Sequence, residues 1–130
     1  MKNKKVIIGI LLATVVIVGG IFLIEYRKIS EPELLFTISE GSSEEKKVVE
    51  VQENKIVFDI NVVGYGGCDN EVKMEKKGSI IKLFFVQNNC KVRTGYYNVK
   101  GEIINLDSGT YTFEFYVGKN KIFERKLTIE

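Results

Sequence analysis

The side chains with the most chemical potential gather around the chain's two cysteines, Cys68 and Cys90. Cys68 closes the glycine-rich run Gly64-Tyr65-Gly66-Gly67 and is followed by Asp69-Asn70-Glu71, and Cys90 stands a few residues before Tyr96 and Tyr97. Two cysteines in an oxidising compartment ordinarily pair, and zinc ordinarily takes four ligands. With no histidine in the chain, a structural Cys68–Cys90 disulfide is the expectation, with separate thiols or a metal as the alternatives. Asp69, Asn70 and Glu71 offer oxygens, but calcium wants six to eight ligands and no calcium-loop spacing is present, so they read as a solvated loop. The expectation is therefore no metal and no cofactor.

Tyr65, Tyr96 and Tyr97 sit among glycine and asparagine, a composition like that of loops that bind proteins through rigid amphipathic rings. They are the candidate binding residues, against the ordinary use of tyrosine on strands. Catalysis is disfavoured because the usual general base is missing. A serine-lysine pair using Ser42 or Ser43 is formally available, but those serines lie in a charged loop where nothing would depress a lysine pKa by burial. The chain reads as a non-enzyme, with a small membrane-anchored hydrolase as the remote alternative.

The compartment that these cysteines need is argued from the front of the chain. Val6 to Ile24, VIIGILLATVVIVGGIFLI, carries no charge, amide or proline. A helix of that length spans roughly 30 Å, the thickness of a bilayer's hydrocarbon core. Lys2, Lys4 and Lys5 precede it and Glu25, Glu31 and Glu33 follow, so the positive-inside rule keeps residues 1–5 in the cytoplasm and sends the rest out. A cleaved secretory signal is the rival, but no A-x-A-like site follows the run. The expected organisation is a basic end at 1–5, a single-pass anchor at 6–24, a stem at 25–33 bearing the only proline, Pro32, and an extracytoplasmic domain at 34–130. Gly9 and Ala13 form a small-xxx-small pair that would serve homo-oligomerisation through the membrane.

The net charge of +2 belongs to the front of the chain, because beyond Lys28 acidic residues outnumber basic ones by two and the signs are interspersed. Such a domain has no basic footprint for nucleic acid. Lysine and glutamate are enriched over arginine and aspartate, and no N-glycosylation acceptor occurs.

The period of hydrophobicity in the domain is two. Leu34, Phe36 and Ile38 alternate with Leu35, Thr37 and Ser39, Val48 to Val51 is a short strand, and Ile56, Phe58, Ile60 and Val62 give the clearest alternation. Gly64 to Asn70 reads as a loop. Val72 and Met74 then pair with the arm containing Ile81, Leu83 and Phe85. A Lys77-Gly78 turn would set Met74 opposite Ile81 and Val72 opposite Leu83. Val92 to Leu106 looks irregular, with Gly95 and Gly101 suggesting bulges or breaks. Tyr111, Phe113, Phe115 and Val117 share a face, and Phe123, Leu127 and Ile129 end the chain. About seven strands without an amphipathic helix indicate an all-β, antiparallel β-sandwich, with a small barrel as the alternative.

Leu106-Asp107-Ser108-Gly109-Thr110-Tyr111-Thr112-Phe113-Glu114-Phe115 resembles the L-x-x-G-T-Y ending of secreted immunoglobulin-like and fibronectin-III-like modules of microbes. The resemblance implies a Greek-key, immunoglobulin-like sandwich in which Leu106, Gly109 and Tyr111 form a structural corner, the tyrosine hydroxyl bonding nearby backbone. Phe113 stands where immunoglobulin domains carry their second cysteine, and the chain has no tryptophan. Such modules serve as spacers, binders and accessory domains alike. The functional expectation is an anchored binding or interaction module on the outer face of the cell membrane, contacting a protein or surface polymer. The alternative is a subunit of a cell-surface filament or surface layer.

Overall fold

A computed structural model describes residues 31–130. The basic end, the expected anchor at 6–24 with Gly9 and Ala13, and most of the stem lie outside the described residues. Among the described residues no helix is long and apolar enough to cross a membrane.

Eight strands follow one another: β1 (Glu33–Glu40), β2 (Lys47–Gln52), β3 (Lys55–Gly66), β4 (Asp69–Lys77), β5 (Ile80–Asn88), β6 (Val92–Ile104), β7 (Gly109–Val117) and β8 (Asn120–Ile129). They form two four-stranded sheets, ordered β1-β6-β3-β2 and β4-β5-β7-β8. The two sheets pack as a sandwich. Alternate residues of β3, Ile56, Phe58, Ile60 and Val62, face Ile81, Leu83 and Phe85 of β5 and Phe113 and Phe115 of β7, all buried. The Phe58 and Phe113 rings meet across the sheets with centroids 6.1 Å apart. Burying four phenylalanines fully contributes on the order of 2–3 kcal/mol each.

Several sequence expectations need correction. The eight strands fit the expected number, but one pairing is parallel where an antiparallel sheet was expected: β5 runs beside β7 in the same direction. The cause is β6, which leaves for the other sheet, crosses it in reverse and lets the chain return alongside β5. Parallel neighbours need such a long crossover, and here a strand of the facing sheet supplies it.

The hairpin of β4 and β5 turns at Gly78-Ser79, not Lys77-Gly78, so Met74 lies opposite Leu83 and Val72 opposite Phe85. Gly78 has φ +56°, the value that the first central position of a II′ hairpin turn demands and that glycine adopts without strain. The slip is of two residues. A slip of two leaves every side chain on its expected face.

The glycine-rich stretch is strand, not loop. β3 continues to Gly66 and only Gly67 and Cys68 separate it from β4. Val92 to Ile104 is likewise one unbroken strand, central in its sheet between β1 and β3. Gly101 is not a break. It pairs with Phe36 on one side and Phe58 on the other, and a Cβ there would strike the Leu35 carbonyl and come within 2.8 Å of Phe58 Cζ. Gly101 marks a close approach, whereas Gly95 stands at the expected bulge, where β6 advances three residues to Val92 while β3 advances two from Gly64 to Gly66.

Candidate functional site

Cys68 and Cys90 are disulfide-bonded, with Cα atoms 4.1 Å apart. The pairing agrees with the expectation, and the true register explains it: Asp69 lies opposite Asn88, so each cysteine is within two residues of the last paired rung. Cys68 is half-buried and Cys90 exposed. The bridge closes one end of the sandwich.

Beneath it lies a polar cap built around Gln87. This residue continues the inward parity of Ile81, Leu83 and Phe85, and its amide reaches the opposite sheet. Gln87 Oε1 accepts from the Tyr65 backbone N–H at 2.9 Å, while Nε2 donates to the Tyr65 carbonyl at 2.8 Å and to Asn70 Oδ1 at 2.9 Å. The side chain thus makes with β3 the pair of bonds that a neighbouring strand would make. Gly64 provides the room, since a Cβ there would overlap Gln87 Oε1.

The Tyr65 carbonyl also accepts from the Tyr97 hydroxyl at 2.7 Å. Tyr97 faces the core, its ring 5.5 Å from that of Phe85. Gly95 permits the reach, because a Cβ would stand 2.7 Å from the Tyr65 carbonyl oxygen and 2.9 Å from the Tyr97 hydroxyl.

The structure therefore separates the three candidate tyrosines. Tyr97 is part of the frame. Tyr65 and Tyr96 are exposed, 58% and 42% accessible. Tyr96 lies directly opposite Val63, and Tyr65 is two residues beyond Val63 on β3, so strand alternation puts all three on the outer side of their sheet.

Beside Tyr65 opens a cleft of about 480 Å³ whose apolar wall includes Val63 and Val117 and whose rim carries Gln87, Arg93 and Lys119. Among the described residues neither Arg93 nor Lys119 has an acidic group within 4 Å. Arg93, Lys119 and Gln87 were invisible as site residues in the sequence. Only the β3–β6 pairing and the β7–β8 turn at Gly118 bring the two cations together.

The acidic run after Cys68 is engaged internally. Asp69 Oδ2 accepts from Asn89 Nδ2 at 2.9 Å, Asn70 is held by Gln87, and Glu71 pairs with Lys73 at 3.2 Å. Among the described residues no group of three or more potential ligands could hold a metal ion. Ser42 and Ser43 border a second cleft of about 350 Å³ with Lys47. The lysine ammonium is held there by Glu45 at 3.0 Å.

The corner residues occupy the opposite end. Leu106 is buried, Gly109 opens β7 at φ +149°, and the Tyr111 hydroxyl donates to the Asp107 carbonyl at 2.7 Å. Burial, reinforced by nearby Asp107, raises the Tyr111 phenol above its usual pKa, and its hydrogen bond to the Asp107 backbone opposes the shift. On the outer face of the sheet β1-β6-β3-β2, Asn98 donates to Asp59 at 2.6 Å and Lys46 pairs with Asp59 at 2.7 Å. Burial alone would raise the Asp59 carboxyl, but the bonds from Lys46 and Asn98 outweigh it and hold its pKa below the usual value.

No protein-family model, curated protein or solved structure matches this chain.

Proposed function

We propose that the chain is a membrane-anchored, extracytoplasmic binding module whose contact surface centres on Tyr65. The observation that carries this reading is the way Tyr65 is held. Its N–H and C=O are tied by Gln87 and Tyr97, yet the residue is 58% exposed. An aromatic ring presented on a fixed backbone binds at low cost in conformational entropy, which is why such rings dominate contact surfaces. Val63 and Tyr96 extend the surface, and Arg93 and Lys119 favour a partner with acidic groups at the rim.

The apolar run at 6–24 supports the anchor, and the disulfide suits the oxidising side of a membrane. The likeness to immunoglobulin-like modules extends to two face-packed sheets and the hydroxyl bond of Tyr111. The strand orders β1-β6-β3-β2 and β4-β5-β7-β8 differ from the immunoglobulin arrangement, so the role is argued from the surface.

Brief crosslinking in the native membrane, followed by mass spectrometry of the solubilised full-length protein, tests the reading. Tyr65→Ser removes the ring while keeping the backbone bonds, and Arg93→Glu reverses the rim charge. A partner captured by the parent chain and lost from both variants, at unchanged melting temperature, supports the proposal. A partner retained by both would place the contact surface elsewhere.

A further inference from the structure

The four sheet edges differ in how they are protected. A free edge offers a row of unpaired backbone groups, and proteins ordinarily blunt it with charge, a bulge or a covering group. β4, DNEVKMEKK, is laced with lysine and glutamate, and β8 carries Lys121, Glu124, Arg125 and Lys126 together with a register shift opposite Phe115 and Tyr116. β2 is short, and Arg125 Nη1 reaches across from β8 to its Val49 carbonyl at 2.6 Å. Among the described residues β1 has none of these devices. Its sequence ELLFTISE is charged only at its two ends, and Leu35 and Phe36 are exposed.

We infer that the free edge of β1 pairs antiparallel with β1 of a second copy of this chain, joining two four-stranded sheets into one of eight strands. The self-complementarity of the strand selects this occupant. A two-fold axis normal to the sheet sets residues of like parity opposite one another, so the axis must pass midway between the two copies of one residue. Centred on Phe36, it places Phe36 against Phe36 and Leu34 against Ile38 on the inner face, and Leu35 against Thr37 on the outer. Glu33 then lies opposite Ser39 and Glu40 opposite Pro32, so no two carboxylates face each other. Centred on Thr37 instead, it would set Leu34 against Glu40 on the inner face, and centred on Leu35 it would leave much of β1 unpaired. Opposed apolar pairs stabilise a ladder and opposed like charges weaken it. This interface is separate from the Tyr65 surface, and each stands or falls without the other.

The test is disulfide trapping in the full-length protein in its native membrane. Phe36→Cys places one thiol of each copy beside the axis, and Val48→Cys, on the outer face of β2 and similarly exposed, controls for random collision. Thiols held in apposition react at a much higher effective concentration than colliding ones, so Phe36→Cys is expected to give a covalent dimer at least about tenfold faster than Val48→Cys. Phe36→Lys, made in a chain that also carries Gly9→Leu and Ala13→Leu so that the apolar runs cannot associate, sets two ammonium groups face to face and is expected to return the protein to the mass of a monomer, with its melting temperature showing that it still folds. Equal trapping rates at 36 and 48, or a dimer that survives Phe36→Lys, would overturn the inference. A heterologous strand captured at position 36 with no homodimer would overturn it as well, giving the edge to another protein.

Discussion

The two ends of the sandwich are closed by the same bond made in different ways. At each, a tyrosine hydroxyl donates to a backbone carbonyl at 2.7 Å, Tyr111 to Asp107 and Tyr97 to Tyr65. The Tyr111 bond spans four residues and lies within one turn-and-strand segment. The Tyr97 bond spans 32 residues, joins two strands, and shares its acceptor with Gln87 from the facing sheet. The first end is a local corner that later strands pack upon. The second exists only once β3, β5 and β6 are in place, and a disulfide covers it. Local closure leaves a sequence signature, and non-local closure leaves only glycines.

The largest effect should come from the covalent part of that contrast. Replacing both cysteines by alanine frees a loop of 22 residues and is expected to cost about 3 kcal/mol in the chain-entropy model. Denaturant unfolding of the variant would measure it, and a negligible loss would mean that the polar cap closes the end unaided. Next, Gln87→Leu strands the Tyr65 N–H and the Asn70 amide oxygen, for an expected loss of about 2 kcal/mol. That variant should also lose binding at Tyr65, because the ring loses its fixed backbone.

Smaller and more discriminating is the pair Tyr97→Phe and Tyr111→Phe. Each removes one hydroxyl bond and should cost about 1 kcal/mol. The ends separate in combination. Tyr97→Phe and Gln87→Leu meet at one carbonyl and should deviate from additivity, whereas Tyr111→Phe, at the far end, should add to either within about 0.5 kcal/mol. Coupling between Tyr111 and Gln87 would break the comparison.

The smallest effect is one of pH. The Asp59 carboxyl is held below its usual pKa in the folded state, net of burial, by Lys46 and Asn98. Its contribution to stability is therefore fully present above the unfolded-state value near pH 4, and is lost as pH falls through the lower folded-state value. Melting temperatures followed downward from pH 5 should fall less steeply for Asp59→Asn than for the parent chain. Parallel curves would remove Asp59 from the acid response.

Much of the fold was legible because its signal is local. Ile56, Phe58, Ile60 and Val62, and Tyr111, Phe113 and Phe115, reveal their inward faces by alternation alone, and parity survives even the two-residue slip at Gly78. The pairing of Cys68 with Cys90 needed only a count of two and an oxidising compartment. Gly95 did announce the bulge between β3 and β6. Gly64, Gly66 and Gly101 misled for one reason: they look like breaks in a sequence, but they sit in strands where another chain segment comes too near for a Cβ, and that segment is distant in the sequence.

The β class, the inward set of side chains and the cysteine pair are written in the chain locally, because a two-residue period and a pair of thiols are properties of short stretches. So are the apolar run of residues 6–24 and the charges beside it. The crossing of β6 to the other sheet, which leaves β5 parallel to β7, the meeting of Gln87 and Tyr97 at the Tyr65 carbonyl, and the standing of β1 as the unprotected edge among the described residues emerge only in the folded chain. Those outcomes depend on which strands become neighbours. That choice is made by the packing of two whole faces against each other, and no single stretch of the chain carries it.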